Sequence, residues 1–378
     1  MSEKIPKEWK WVKLGEVADV RDGTHDSPKE AIDGKYLITS KHIKNGKIDF
    51  SKAYKISLDD FEAINKRSKV DKYDILFSMI GTIGEMVIVD FEPDFAIKNV
   101  GLFKTGNKDL SRWIYYYLKS NDAQAEIYAS LKGSTQQYIT LGDLRNFPIL
   151  LPPLPEQKAI VEVLSSIDDK IDLLHRQNKT LEEMAMTLFR QWFIEPTKDG
   201  LPEGWEEVSL GEIIEISSGK SIEKGKLKEK GLYPVLGANG EIGRTDDWLY
   251  EGELIYTGRV GTLGNVFIVF RNEKVWLTDN TLVIKPNKNE YFYFVYFTLK
   301  NAKLDEYNSG STQPLIRQSD IKKIEIFLPK INFLKDFEVI SRNLFTKIQF
   351  NTSQIQTLEK LRDTLLPKLM SGEVRIMK

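Results

Sequence analysis

Apolar residues recur at alternating spacings of four and three along two stretches of the chain. The first runs Ile160, Leu164, Ile167, Ile171, Leu174, Asn178, Leu181, Ala185, Leu188, Trp192, entered after Pro152-Pro153-Leu154-Pro155 and closed before Pro196. The second runs Phe337, Ser341, Leu344, Ile348, Asn351, Ile355, Leu358, Arg362, Leu365, Leu369. Such seven-residue repeats predict two long helices, each presenting one seam to a partner helix. A helix of about 37 residues rises roughly 55 Å at 1.5 Å per residue. Elsewhere the pattern is shorter. Strand-like runs at Tyr36 to Ser40, Asp74 to Met79, Met86 to Asp90 and Val100 to Lys104 are separated by Gly, Asp, Asn and Pro. An amphipathic helix is expected from Ser111 to Leu131, with Trp113, Tyr116, Tyr117, Ala123, Ile127 and Leu131 as its core stripe. A second series has strands at Glu253 to Thr257, Asn265 to Phe270 and Thr281 to Lys285, then a helix near Glu290 to Tyr307.

The two series are copies of one unit. Ile5-Pro6-x-x-Trp9-x-x-Val12-x-Leu14-Gly15-Glu16 recurs at Leu201-Pro202-x-x-Trp205-x-x-Val208-x-Leu210-Gly211-Glu212, displaced by 196 positions. Gly81-Thr82-Ile83-Gly84 recurs at Gly261-Thr262-Leu263-Gly264, displaced by 180. Gly133-Ser134-Thr135-Gln136 recurs at Gly310-Ser311-Thr312-Gln313, displaced by 177, and that offset holds without a gap to Leu188 and Leu365. The first copy is therefore longer before its Gly-Thr turn, while the later part of each unit keeps a fixed length. Fixed length suits a scaffold and variable length suits a recognition surface. The expected fold is α+β. Residues 1–154 form a first mixed α/β domain, 155–195 a central helix, 196–331 a second domain, and 332–378 a distal helix and tail.

Charge sharpens the pairing. The 378-residue chain has 54 basic and 55 acidic side chains, so bulk positive charge is not available to drive nucleic-acid binding. By segment, Pro155 to Glu195 holds eight acidic and five basic residues, and Asn332 to Met370 holds six basic and four acidic. Opposite net charge favours an antiparallel pair made by the two helices with each other. The expected pairing residues are Ile160, Leu164, Ile167, Ile171, Leu174, Leu181 and Leu188 against Phe337, Leu344, Ile348, Ile355, Leu358, Leu365 and Leu369.

The chain lacks cysteine and has only three histidines, His25, His42 and His175, in unrelated contexts. Thiol chemistry, disulfides and cysteine-ligated metals are excluded, and no metal site is expected. Its amino terminus has no apolar signal segment, and no uncharged apolar run is long enough to span a bilayer. A soluble, cytoplasmic protein with no membrane partner is expected. Neither a P-loop nor a Gly-rich methyl-donor loop appears. Asp168-Asp169-Lys170 has a nuclease-like spacing but falls on the seam helix, where a solvated face accounts for it.

Two variable α/β domains, each preceded by a Pro-x-x-Trp element and followed by a long helix, with Pro153-Leu154-Pro155-Glu156-Gln157-Lys158 opening the central one, resemble the DNA-specificity (S) subunits of type I restriction-modification systems. The distal helix departs from that pattern, opening with Leu328-Pro329-Lys330-Ile331. The resemblance implies a non-catalytic protein in which each domain reads one half of an asymmetric bipartite site in double-stranded DNA. It implies modification (M) methyltransferase subunits, two of them, and restriction (R) motor-nuclease subunits as partners. S-adenosylmethionine, ATP and magnesium would then belong to those partners, leaving this chain without a cofactor. The competing reading is a duplicated coiled-coil adaptor whose domains bind protein; an enzyme with a phosphate site at the Gly-Thr-x-Gly turns comes third.

Candidate DNA contacts in the first domain are Lys41, His42, Lys44, Lys47 and Lys52, in a stretch that, continued to Lys55, has five lysines against one acid. Such side chains suit phosphates and base edges; a solvated hairpin surface accounts for them equally. In the second domain the candidates are Lys220, Lys224 and Lys226, with Arg244 and Arg259, the latter beside the repeated turn and suited to guanine. Ser134, Thr135, Ser311 and Thr312 can donate to phosphate or merely shape a turn. The Gly-Thr-x-Gly segments, set before strands, read as tight turns.

Overall fold

The computed structural model describes residues 5–261, 263–307 and 314–376. By its internal contacts the chain divides into one unit of Met1–Leu173 with Gln354–Lys378 and another of Leu174–Ser353. Each long helix therefore contributes to both units. The central helix is Leu154–Phe189 and the distal helix Ile331–Ser371.

In the first unit a four-stranded antiparallel sheet has the order Asp19–Asp22, Val100–Lys104, Ile75–Ser78, Met86–Ile88. A smaller sheet pairs Lys35–Thr39 with Phe95–Lys98 in parallel and with Lys55–Ile56 in antiparallel fashion. Lys10–Lys13 pairs with Pro148–Leu151, tying the start of the domain to the strand before the central helix. The expected helix from Ser111 to Leu131 is two helices, Lys108–Lys119 and Asn121–Ala129. Ser120 breaks it: its ψ of 150° is extended, and its hydroxyl caps the second helix by accepting from the Ala123 amide. The aromatic stripe is core as expected, with Trp113 fully buried and its indole donating to the Leu150 carbonyl.

The second unit repeats the plan. Its main sheet runs Ile214–Ser218, Thr281–Pro286, Leu254–Gly258, Val266–Val269. Tyr233–Gly237 lies parallel to Lys274–Leu277, and Glu206–Ser209 pairs with Glu325–Leu328. The helix expected near Glu290 to Tyr307 is shorter, Phe292–Asn301, ending before Lys303 at a φ of 46° and a short 3-10 turn at Leu304–Tyr307. The first unit's surplus lies between its third and main-sheet strands, where helix Leu58–Ser68 and a hairpin of Ile43–Lys44 with Lys47–Ile48 have no counterpart.

The seam is buried within each unit. In the first, Ile160 and Leu164 of the central helix share a core with Leu369 and Met370 of the distal helix, with Leu365 partly buried beside them. Arg362 donates to Asp168 at 3.0 Å and Arg375 to Glu156 at 2.9 Å, so advancing along one helix retreats along the other: the helices are antiparallel. Ile167, Ile171 and Ile355 are buried too, and Leu358 half-buried. In the second unit Leu174 is buried, Leu181, Leu344 and Ile348 are half-buried, and Phe337 packs at 6.2 Å from Phe189. Burial there passes from Leu188 and Trp192 to Phe189 and Phe193, whose rings enter the aromatic core of the domain where the helix widens at Arg190–Ile194. Asn178 and Asn351, which occupy non-equivalent levels of the repeat, face each other: the Asn351 amide donates to Asn178 Oδ1 at 2.9 Å. A polar pair in an apolar seam fixes register, because a slipped helix would leave the buried Asn351 amide unsatisfied.

Two outcomes follow from these contacts. Asn351 is fully buried, and its own carbonyl oxygen has no partner among the described residues. Leu at both 178 and 351 should therefore raise the unfolding free energy by about 1–3 kcal/mol in denaturant titration, while weakening the preference for one register. Glu156 accepts from Arg375 and from the Trp9 indole, and these bonds hold its carboxyl below the usual carboxylate range. A depressed pKa adds stability above about pH 4.3, the ordinary glutamate value, and that contribution is lost as the pH falls through the folded value. Arg375→Ala should therefore lower the melting temperature at neutral pH, and the gap to the parent protein should close on acidification.

Candidate nucleic-acid interface

The basic stretch of the first domain folds as a 3-10 turn at Ser40–His42, a hairpin, and a second turn at Phe50–Lys52. Lys41, Lys44, Lys47 and Lys52 are exposed. Lys47 pairs with Asp172 at 2.6 Å and the Asn45 amide donates to Glu85, which pins the hairpin to the central helix and to the turn that leads into strand Met86–Ile88. His42 does not belong with the lysines. It is 1% exposed, its Nδ1 accepts from the Thr39 amide at 3.0 Å, and its carbonyl accepts from Asp49. Burial, reinforced by Lys41, pushes its pKa down, so the ring stays neutral and braces the loop from inside. The expectation that His42 touches DNA is corrected on that ground.

In the second domain Lys220, Lys224 and Lys226 are exposed, and Lys226 pairs with Asp247 at 2.9 Å. Arg244 has a structural role whether or not it meets DNA. Its guanidinium donates to the Gly231 carbonyl at 2.8 Å, the Leu232 carbonyl at 3.1 Å and Glu241 at 3.0 Å. Those bonds fasten the loop before Tyr233 to the hairpin strand Gly240–Thr245. Arg259 is half-buried at the end of its strand, its backbone bonded to Asn280 and Ile316. Asp168, the acid of the nuclease-like fragment, accepts from Arg362 and from the Tyr116 hydroxyl at 2.8 Å, a structural role.

Two motifs that sequence reading kept apart are neighbours in the fold. Gly81 and Gly84, at φ of 81° and 90°, close a tight turn between antiparallel strands, the conformation glycine adopts without a Cβ clash. Residues 132 and 138 bond reciprocally at 2.9 Å and close a loop that holds Ser134 and Thr135 in solvent. The two features meet where Ile80 bridges Tyr138 and the Ile139 amide donates to the Met79 carbonyl at 3.1 Å. Val260 bridges Leu315 in the same way in the second domain, and the Ile316 amide donates to the Arg259 carbonyl at 3.0 Å. Thr262, Ser311 and Thr312 lie outside the described residues. Neither motif on its own signals the other, because about 50 residues separate them in each copy.

The family model for the type I restriction modification DNA specificity domain matches this chain twice, over residues 6–183 and 202–360. The chain belongs to that specificity family. Both matches start at the Pro-x-x-Trp elements and run well into the long helices, so the family's unit is the domain together with its helix. Among curated relatives, the type I restriction enzyme MjaIX specificity subunit of Methanocaldococcus jannaschii is 28% identical, over 99% of this chain and 95% of its own. The HindI specificity subunit of Haemophilus influenzae is 23% identical over 82% and 88%. The type I restriction-modification S subunit from M. genitalium, a crystal structure, shares the fold with a TM-score of 0.61 at 20% identity, covering 98% and 97% of the two chains. Among the described residues no group of side chains could hold a metal ion, and no helix is long and apolar enough to cross a membrane.

The structural role of Arg244 is measurable. Arg244→Ala should cost about 1–3 kcal/mol of stability through three lost donors, seen as a lower melting temperature. Lys44→Ala should leave the melting temperature unchanged, because the side chain projects into solvent.

Proposed function

We propose that this specificity subunit reads an asymmetric bipartite site in double-stranded DNA, one half through each α/β domain, while the paired helices set the distance between halves. The observation that carries the reading is the combination of one repeated scaffold with two different surfaces. The order of the main sheet and the bridge of Ile80 to Tyr138, matched by Val260 to Leu315, are the same in both units. The hairpin and helix Leu58–Ser68 of the first unit are replaced by the hairpin and short strand Tyr250–Glu251 of the second. Two unlike readers on like frames suit two unlike half-sites, and linking them multiplies modest specificities. Half-sites would lie on the order of one DNA turn apart, roughly 34 Å.

Neither domain carries the charge to bind DNA tightly alone. Residues 1–154 sum to +1 and 196–331 to −2, and phosphate neutralisation supplies most non-specific affinity. Modification subunits, two per complex, would close around the duplex and supply the remaining affinity together with S-adenosylmethionine-dependent adenine methylation. Restriction subunits would supply ATP-driven cleavage. The chain itself would act without a cofactor and without catalysis.

Sequencing of modified adenines in a methylation-deficient host that carries this protein and its modification partner tests the reading. An asymmetric motif split by a fixed spacer is expected, and the absence of any such motif would count against it. Exchanging residues 196–331 for those of another family member should change one half of the motif; a change in both halves would contradict one domain per half-site.

A further inference from the structure

Beside the junction of turn and loop, the first domain has a slot of about 260 Å³. Met79, Ile80 and Ile139 contribute apolar walls, and Asp22, His25 and Asn99 a polar edge. The imidazole of His25 lies between two oxygens, with Nδ1 2.8 Å from Asn99 Oδ1 and Nε2 3.0 Å from Asp22 Oδ2, and its side chain is 68% exposed.

The second domain keeps the backbone bonds of this frame but not its side-chain bonds. Ser221, at the position of His25, donates its hydroxyl to Asp279 at 2.7 Å, while Asn280 holds the place of Asn99 just before the strand. Gln318 donates to Ser218 at 3.1 Å, a bond that Leu141 and Asp22 at the same positions do not make. The backbone bonds from Ile139 to Met79 and from Ile316 to Arg259 correspond, as do Thr140 and Arg317, whose amides bond to Asp143 and Asp320. Asn99 with Asn280 and the apolar pairs Ile80 with Val260 and Ile139 with Ile316 are preserved in kind. The rest of the edge is rewritten: His25 becomes Ser221, Met79 becomes Arg259 and Thr140 becomes Arg317. The backbone bonds of the frame persist while the side chains along its edge change in chemistry.

Resting on the bipartite reading above, we propose that this slot, and the matching positions of the second domain, are where each domain reads base edges in the groove of its own half-site. Arg259 and Arg317, at the positions of Met79 and Thr140, carry guanidinium groups suited to the N7 and O6 acceptors of guanine. His25 and Asn99 present a mixed donor and acceptor edge without a guanidinium, so the first half-site is read by different chemistry. Because His25 and Arg317 are exposed, their replacement leaves the buried walls intact.

The test uses the complex of this chain with its modification subunits, the parent protein's bipartite motif, and duplexes altered in one half at a time. Arg317→Ala should weaken binding to the cognate duplex about 10- to 100-fold and abolish discrimination at the second half-site only. The double variant His25→Ala with Asn99→Ala should do the same at the first half-site only. Arg317→Gln, which keeps a polar side chain of similar length without the charge, should lose discrimination as Ala does, and melting curves should match the parent's. Discrimination unchanged at both halves would overturn the proposal while leaving the bipartite reading standing. An equal loss on cognate and unrelated DNA would also overturn it, by reducing these side chains to phosphate contacts. A parent complex with no bipartite motif would remove the broader reading and this one with it.

Discussion

Burial of a seven-residue seam between two antiparallel helices is the constraint on which the rest of this molecule depends. Neither α/β domain completes its core from its own strands and short helices. Trp113, Phe77 and Phe103 of the first close against Ile160, Leu164, Leu369 and Met370 from the long helices. Phe294 and Phe297 of the second close against Phe189, Phe193, Phe337 and Phe345. A helix with one apolar stripe must bury it, and here the stripe is shared between a helical partner and a domain. The hydroxyl of Tyr116 reaches Asp168 and that of the equivalent Tyr296 reaches Glu182, at 2.8 and 2.7 Å. Each domain is thereby fastened to the central helix by a tyrosine at the same place in the repeat.

That arrangement separates two jobs physically. Paired helices, the order of the main sheet and the bridges of Ile80 to Tyr138 and Val260 to Leu315 form a frame whose backbone bonds recur in both units. Loop segments and slot-edge side chains lie outside that frame. The Asn178–Asn351 pair adds register to the scaffold, at the expense of an amide oxygen with no partner among the described residues.

Much of this was legible before any coordinates. Long helices, their opposite charge and their pairing follow from the spacing of Ile160 to Trp192 and Phe337 to Leu369, because helical periodicity is a local property that survives folding. Strands near Tyr36, Asp74 and Val100 were found to within a residue or two at their ends. Ser120 defeated the expectation of one continuous helix, because an internal cap is a choice between backbone states that a helical stripe cannot reveal. His42 was misjudged for a related reason: a polar side chain in a basic stretch looks available until its burial and hydrogen-bond partners are known. His25 and Asn99, 74 positions apart, gave no joint signal at all.

Sequence alone determined the duplication, the fold class, the helix pair and the family, since each rests on repeated residues or on periodicity encoded in consecutive positions. Tertiary structure decided which polar groups are committed and which face solvent, since hydrogen bonding is settled by neighbours that folding brings from distant parts of the chain. It buried His42, tied Arg244 to the carbonyls of Gly231 and Leu232, and set His25 between Asn99 and Asp22. Local pattern fixes which face of an element is apolar; only long-range contact fixes what its polar face is left free to do.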